Sequence, residues 1–153
     1  EIVQQHRSLY GLIKAKKIKI MKKISIETAK EFIANERMTS FTVSSFEKNE
    51  VRNAFCSIHF DYQNGGAGVS YTISKKTYKA ICDFIKDEVR LLNSYAHSMS
   101  DFIHNSDDRS KQIAADYAVK FEQKLMLINK MNLKGVLKLD VENAVSHFNY
   151  FKK

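Results

Sequence analysis

The sequence predicts an α+β fold: a small antiparallel three- to four-stranded meander packed on a short helix, then a long antiparallel helical hairpin and a C-terminal helix. Three observations carry this. Apolar residues recur at alternating spacings of four and three along Tyr78, Cys82, Ile85, Val89, Leu92, Ala96, Met99 and Ile103, with no glycine or proline between them. That is one face of a long helix. Upstream, three runs alternate apolar and polar residues at the period of strands, and Asn64-Gly65-Gly66-Ala67-Gly68 between the last two suits a tight hairpin turn. Downstream, a second helical stripe follows a short polar turn, which makes the two helices antiparallel neighbours.

Residues 3–16 place Leu9, Leu12 and Ile13 on one side of a short amphipathic helix. Residues 17–26 turn to near alternation, Ile18, Ile20, Ile24 and Ile26 with lysines among them, as in a half-exposed strand whose cations guard a sheet edge. Residues 27–38 read as a helix with Ala29, Phe32 and Ile33 inward and Ser25 or Thr28 as its cap. The strands follow at 40–46, with Phe41 and Val43 on one face, at 54–62, with Cys56, Ile58, Phe60 and Tyr62 on one face, and at 69–73. Ser74 caps the long helix, which runs to about His104 and spans roughly 45 Å at ~1.5 Å per residue. Residues 105–108 make the turn, and Ser106, Asp107 and Asp108 supply a cap that also favours the dipole of the next helix. That helix runs to about Met131 on Ala114, Tyr117, Phe121, Leu125 and Ile128. Gly135 breaks the pattern, and Asp140 caps a last helix carrying Val141, Val145, Phe148 and Phe151.

Apolar residues make up 44% of the 153 positions and charged residues 27%, an ordinary globular balance. A chain this long buries roughly two thirds of its unfolded surface, so it needs no metal or disulfide to fold. No run approaches the roughly 18 uncharged residues of a membrane span. The basic start leads into no continuous apolar core, so no signal peptide, no membrane and a cytoplasmic location are expected. Cys56 and Cys82 fit no motif and read as small core residues in a reducing compartment. Met21-Lys22-Lys23-Ile24 looks like an ordinary start of translation. Residues 1–20 are therefore read as a basic N-terminal segment, a leader or an extension, ahead of one α+β domain over 21–153. Within it, 21–74 hold the helix and meander, 75–131 the helical hairpin and 132–153 the C-terminal helix.

The net charge of +8 is unevenly placed: residues 1–20 carry half of it, and the ten residues from Lys14 to Lys23 hold six lysines and no acid. Residues 38–74, the meander, are slightly acidic. A basic chain is biased toward anionic partners, and here the bias comes from particular segments. Lys75, Lys76 and Lys79 form the second lysine group, in the first turns of the long helix. Cations there oppose the helix dipole, so a cluster against the local preference points to an anionic partner.

Enzyme signatures are missing. There is no phosphate-binding loop, nucleophile elbow, His-Glu-x-x-His or Cys-x-x-Cys. The glycine loop at 65–68 precedes a strand, so it lacks the helix N-terminus that binds phosphate. His97, Asp101 and His104 share one helical side, but the outer two lie about 10 Å apart along the axis, so the trio reads as a polar flank and no metal or cofactor is expected. Asp87 with Glu88, and Asp107 with Asp108, point in different directions on their helices and form no acid/base dyad. His6, His59 and His147 read as isolated, with no acid or nucleophile beside them.

Two family resemblances attach to these motifs. Ser74-Lys75-Lys76-Thr77-Tyr78-Lys79, behind an α-β-β-β order, resembles the Ser-Lys-Lys-x-Ala-Lys signature of the double-stranded-RNA-binding domain. The resemblance implies contacts by Lys75, Lys76 and Lys79 to phosphates across a major groove. It covers under half the chain. Glu47-Lys48-Asn49-Glu50 stands where that family has Gly-Pro-x-His, and Tyr78, Cys82 and Asp83 stand where it has small alanines. The strands Phe41-Thr42-Val43-Ser44-Ser45, Val51-Arg52 and Gly68-Val69-Ser70-Tyr71 are similar to those of single-strand-binding coactivators of the positive-cofactor-four type. That resemblance implies stacking and phosphate contact by Phe41, Arg52, Phe60 and Tyr62. The dense basic run on that family's strands is missing here.

The expectation is a small basic non-enzymatic binding protein that contacts nucleic-acid phosphates through Lys14, Lys16, Lys17, Lys22, Lys23, Arg52, Lys75, Lys76 and Lys79. The alternative is a protein–protein interaction module (inhibitor, adaptor or structural subunit). It would use the seam of Tyr78, Ile85, Val89, Leu92, Met99 and Ile103, with a homodimer through the long helices as one form. A contiguous lysine patch favours the first reading.

Overall fold

The computed structural model describes residues 22–48, 51–63 and 68–152, with 46–48 and 51–55 described by their backbone. Helix α1 spans Ile26–Ala34 and is followed by strands β1 (Met38–Lys48), β2 (Val51–Tyr62) and β3 (Val69–Ile73). Helices α2 (Lys75–Ile103), α3 (Asp108–Ile128) and α4 (Val136–Lys152) complete the order. The sheet is antiparallel throughout, in the order β1-β2-β3. This is the predicted α+β architecture, with three strands.

The starts of α1, α2 and α3 each follow a side-chain cap. Ser25 accepts from the Thr28 N–H at 3.2 Å, Ser74 from Thr77 at 3.0 Å, and Asp107 from Ser110 at 2.9 Å. The boundaries differ from expectation where a local interaction ends or begins a helix. Asn35 Oδ1 takes the Arg37 N–H at 2.9 Å, so α1 stops at Ala34 and residues 35–37 become the turn into β1. Gly135 adopts φ 64°, and α4 begins at once on Val136, leaving Asp140 inside the helix instead of capping it. Helix α3 ends at Ile128, because Met131 leaves to pair with β1.

Both edges of the sheet are covered by single backbone bridges. On the β1 side Phe41 N–H donates to Lys130 O at 2.8 Å, and Met131 bridges Phe41 in parallel. On the β3 side Ile24 N–H donates to Thr72 O at 3.2 Å, and Thr72 N–H to Lys22 O at 3.1 Å. The expected strand over 17–26 is therefore, in its described part, a one-residue bridge at Lys23, and Ile26 opens α1 instead. Residues 17–21, like the amphipathic helix expected at 3–16 and the glycine turn at 64–67, lie outside the described residues.

One face of the sheet carries the core. Phe41, Ile58 and Phe60 are fully buried against Ala29 and Ile33 of α1 and Ile81 of α2, and Phe32 packs edge-on to Phe60 with ring centroids 5.3 Å apart. Helix α2 outruns this layer and continues between α3 and α4. There Val89, Leu92, Ala96 and Met99 are buried, and Phe121 of α3 stacks on Phe148 of α4 at 4.0 Å. Two long-range ties fix the layers. The Lys130 ammonium donates to Ile33 O and Asn35 O, both at 2.9 Å, neutralising the carbonyl end of α1. Glu88 of α2, buried among these helices, is ion-paired with Lys124 of α3.

Candidate functional site

The bridge between Lys23 and Thr72 has a consequence beyond the sheet edge. Three residues after Thr72 the chain enters α2 with Lys75, then Lys76 and Lys79. With strands ~4.8 Å apart and ~3.8 Å per Cα step, the backbones of Lys23 and Lys75 lie within roughly 16 Å. Lys22, Lys23, Lys75, Lys76 and Lys79 are all exposed. The first turn of α2 contains no acid, and among the described residues none of the five ammonium groups is in an ion pair. Two lysine groups separated by some fifty residues thus meet where β3 runs into a helix N-terminus, whose free N–H groups add positive potential. Ser74 takes one of those N–H groups as cap.

The other expected contacts fall elsewhere. Lys14, Lys16 and Lys17 lie outside the described residues. Arg52 is on β2, five residues beyond Ser57, the residue opposite Thr72; at ~3.3 Å per residue it stands about 17 Å away along the strand. The aromatic residues implied for base stacking face inward: Phe41 and Phe60 are 1% and 0% exposed, and Tyr62 packs against the same core. Alternation explains this, because the apolar positions of a one-sided sheet turn to the helices and leave the open face polar.

That open face holds a constellation the sequence reading missed. His59, taken as isolated, shares its face with Asp61 and stands directly opposite Ser70, while Asp61 stands opposite Ser40. His59 Nε2 lies 3.0 Å from Asp61 Oδ1, its Nδ1 lies 2.6 Å from Ser70 Oγ, and Ser40 Oγ donates to Asp61 Oδ2 at 2.9 Å. The consistent tautomer donates from Nε2 to the carboxylate and accepts the Ser70 proton at Nδ1. The hydrogen bonds from Ser40 and then His59 hold the Asp61 carboxyl below its usual range. Gly68 leaves room for them: a Cβ there would stand 2.2 Å from His59 Nε2 and displace the ring. The signal was present, since centring the hairpin on Asn64-Gly65 puts His59 opposite Ser70. The residue types match a nucleophile–base–acid set, but Ser70 sits within a strand, away from the free N–H pair that a strand-to-helix turn offers a developing oxyanion. The arrangement is a cross-strand polar ladder.

A second histidine cluster lies at the far end of α2. His147 of α4, also taken as isolated, packs on His97 with ring centroids 4.4 Å apart, and Phe151 contacts both His147 and His104. Ser100 Oγ donates to His97 O at 2.8 Å, so His147 Nε2–H donates to Ser100 Oγ at 3.0 Å. Burial and then the neighbouring His97 lower the His147 pKa, against the opposing pull of Asp101. Among the described residues no group of three His, Cys, Asp or Glu side chains is placed to hold a metal ion.

Of the seam residues, Val89, Leu92 and Met99 are buried by α3 and α4 within the chain, while Tyr78, Ile85 and Ile103 are half-buried. No described helix is long and apolar enough to cross a membrane. No family model, curated protein or solved structure matches the chain.

Proposed function

We propose that the protein is a non-catalytic binding protein that holds nucleic-acid phosphates against the lysines where β3 runs into α2. The supporting observation is the backbone pairing of Lys23 with Thr72, which gathers Lys22 and Lys23 beside Lys75, Lys76 and Lys79. Lysines with no ion-pair partner among the described residues, at a helix N-terminus, suit phosphate oxygens, and the inward-facing Phe41 and Phe60 suit backbone contact over base readout. Free Cys56 and Cys82 support the reducing, cytoplasmic setting such a partner implies.

Fluorescence anisotropy with duplex RNA, duplex DNA and single-stranded DNA over a salt series tests this. Five phosphate contacts give a slope of log K against log salt of about −4.5 on duplex DNA, at ~0.9 per contact. Replacing Lys75, Lys76 and Lys79 by glutamine should shrink the slope by about 2.7. An unchanged affinity and slope in that triple variant would refute the site.

A second reading, a protein-interaction module or homodimer, is favoured by one observation. Met126 of α3 and Val136 and Tyr150 of α4 are 72%, 73% and 72% exposed. The seam itself is largely covered in cis, so this reading rests on the outer faces of α3 and α4. Light-scattering mass of the wild type and of Met126→Asp with Val136→Asp distinguishes it.

A further inference from the structure

We propose that the cleft between β1, α2 and the segment joining α3 to α4 binds a single-chain aliphatic carboxylate. This proposal is independent of the lysine site above. The cleft has a volume of about 270 Å³. It forms because Met131 is drawn onto the β1 edge while Gly135 turns the chain away into α4, which leaves a gap beside the first turns of α2.

The lining has a definite chemical character. Val43, Ile85, Leu133 and Leu137 make apolar walls, and among the described lining residues the cations are Lys86 and Lys134. Among the described residues no acid lines the cleft. Both lysines are exposed, and among the described residues neither is in an ion pair. The Asn132 amide donates to Thr42 Oγ1, and the two lysines supply the charged donors. An apolar trough with two unpaired cations and no anion complements a ligand with one apolar tail and one negative head. At roughly 30 Å³ per water-sized group the volume holds about nine methylenes. It falls below the ~300–1,000 Å³ of larger ligand sites, which leaves room for one chain and excludes a two-chain lipid.

The test uses the whole chain with straight-chain acids from five to twelve carbons, below their micelle concentrations, and nonanol as the uncharged control. Calorimetry should show affinity rising about fourfold per methylene and levelling near nine carbons, with nonanoate tighter than nonanol. Cys82 lines the cleft and is half-exposed, whereas Cys56 is buried, so nonanoate should also slow alkylation of Cys82 by N-ethylmaleimide, followed by peptide mass. Lys86→Gln with Lys134→Gln changes exposed side chains only and should abolish the preference for acid over alcohol. Affinity that climbs past twelve carbons without levelling, a preference untouched by the double variant, or unprotected Cys82 would each overturn the proposal.

Discussion

Replacing Lys124 by methionine should destabilise the fold far more than replacing its partner. Glu88 and Lys124 have side chains 12% and 20% exposed and face each other across α2 and α3. One Glu88 carboxylate oxygen, buried, has this ammonium as its ion-pair partner and no hydrogen bond. Breaking a fully buried pair costs about 3–5 kcal/mol because the remaining charge is stranded, whereas an exposed pair is worth about 0–1. The residual exposure places Lys124→Met between the two cases and nearer the first, at about 2–3 kcal/mol. At roughly 3–4 °C per kcal/mol for a chain of this length, the melting temperature should fall by about 6–12 °C. Glu88→Leu should cost only about 1 kcal/mol, because the orphaned lysine has a flexible stem and reaches water from the helix rim. The double variant Glu88→Leu with Lys124→Met should recover to within about 1 kcal/mol of wild type, since an apolar pair of similar volume replaces the ion pair. Urea denaturation followed by far-UV circular dichroism, with unchanged slopes, gives all three values. A cost for Lys124→Met below about 0.5 kcal/mol, or equal costs for the two single variants, would show that the pair behaves as a surface contact.

Three further outcomes follow from the geometry. Gly68→Ala should push His59 off Asp61, lower the melting temperature by a few degrees and let the Asp61 pKa rise part of the way to its ordinary value, with the Ser40 bond intact; carboxyl chemical shifts against pH read this out. Because the folded state depresses the His147 pKa below its ordinary 6.5, the unfolded chain binds more protons there, so stability should fall as pH drops through 6.5 and level off below the folded value. Thermal melts of His147→Gln should lack that part of the slope. Phe121→Ala, at a ring with no exposure stacked on Phe148, should cost about 3–4 kcal/mol in urea denaturation, and a loss under 1 would mean the helical layer repacks freely.

The elements with long periods and side-chain caps were legible before any coordinates. The α2 stripe was continuous over seven steps, and Ser74 marked its start. Ile81 escaped that reading although it is fully buried, because α2 uses one face against the sheet and another against α3 and α4, so its apolar surface is wider than a single seam. Boundaries set by one side chain or one dihedral, the Asn35 turn and Gly135, were misplaced by a turn of helix. The polar ladder needed register: Ser70 follows from centring the predicted turn on Asn64-Gly65, but Ser40 comes opposite Asp61 only through the register shift between Glu47 and Lys48.

The edge bridges were not legible at all, for a physical reason that bears on function. Lys23–Thr72 and Phe41–Met131 are joined by backbone hydrogen bonds, which any residue makes, so no side-chain pattern announces them. Yet they decide what the sheet offers to other molecules. A strand adding at Thr72 would have to displace Lys23, and one adding at Phe41 would have to displace Met131, where Asn132 also occupies Thr42. Edges managed in this way resist strand addition. The inner face is core, and on the open face Ser40, Asp61, His59 and Ser70 are joined by hydrogen bonds to one another. Among the described residues the sheet presents charge at one edge, Lys22 and Lys23 with the α2 lysines, and an apolar cleft with two cations at the other. Both favour anions, one extended and one small. A partner that engages the sheet by backbone pairing at Phe41 or Thr72 is therefore disfavoured against one that brings negative charge. Hydrogen exchange separates the two cases: an anionic partner should leave the amides of Phe41 and Thr72 as protected as in the free chain. A strand-adding partner would expose one of them transiently and then protect the edge residues around it.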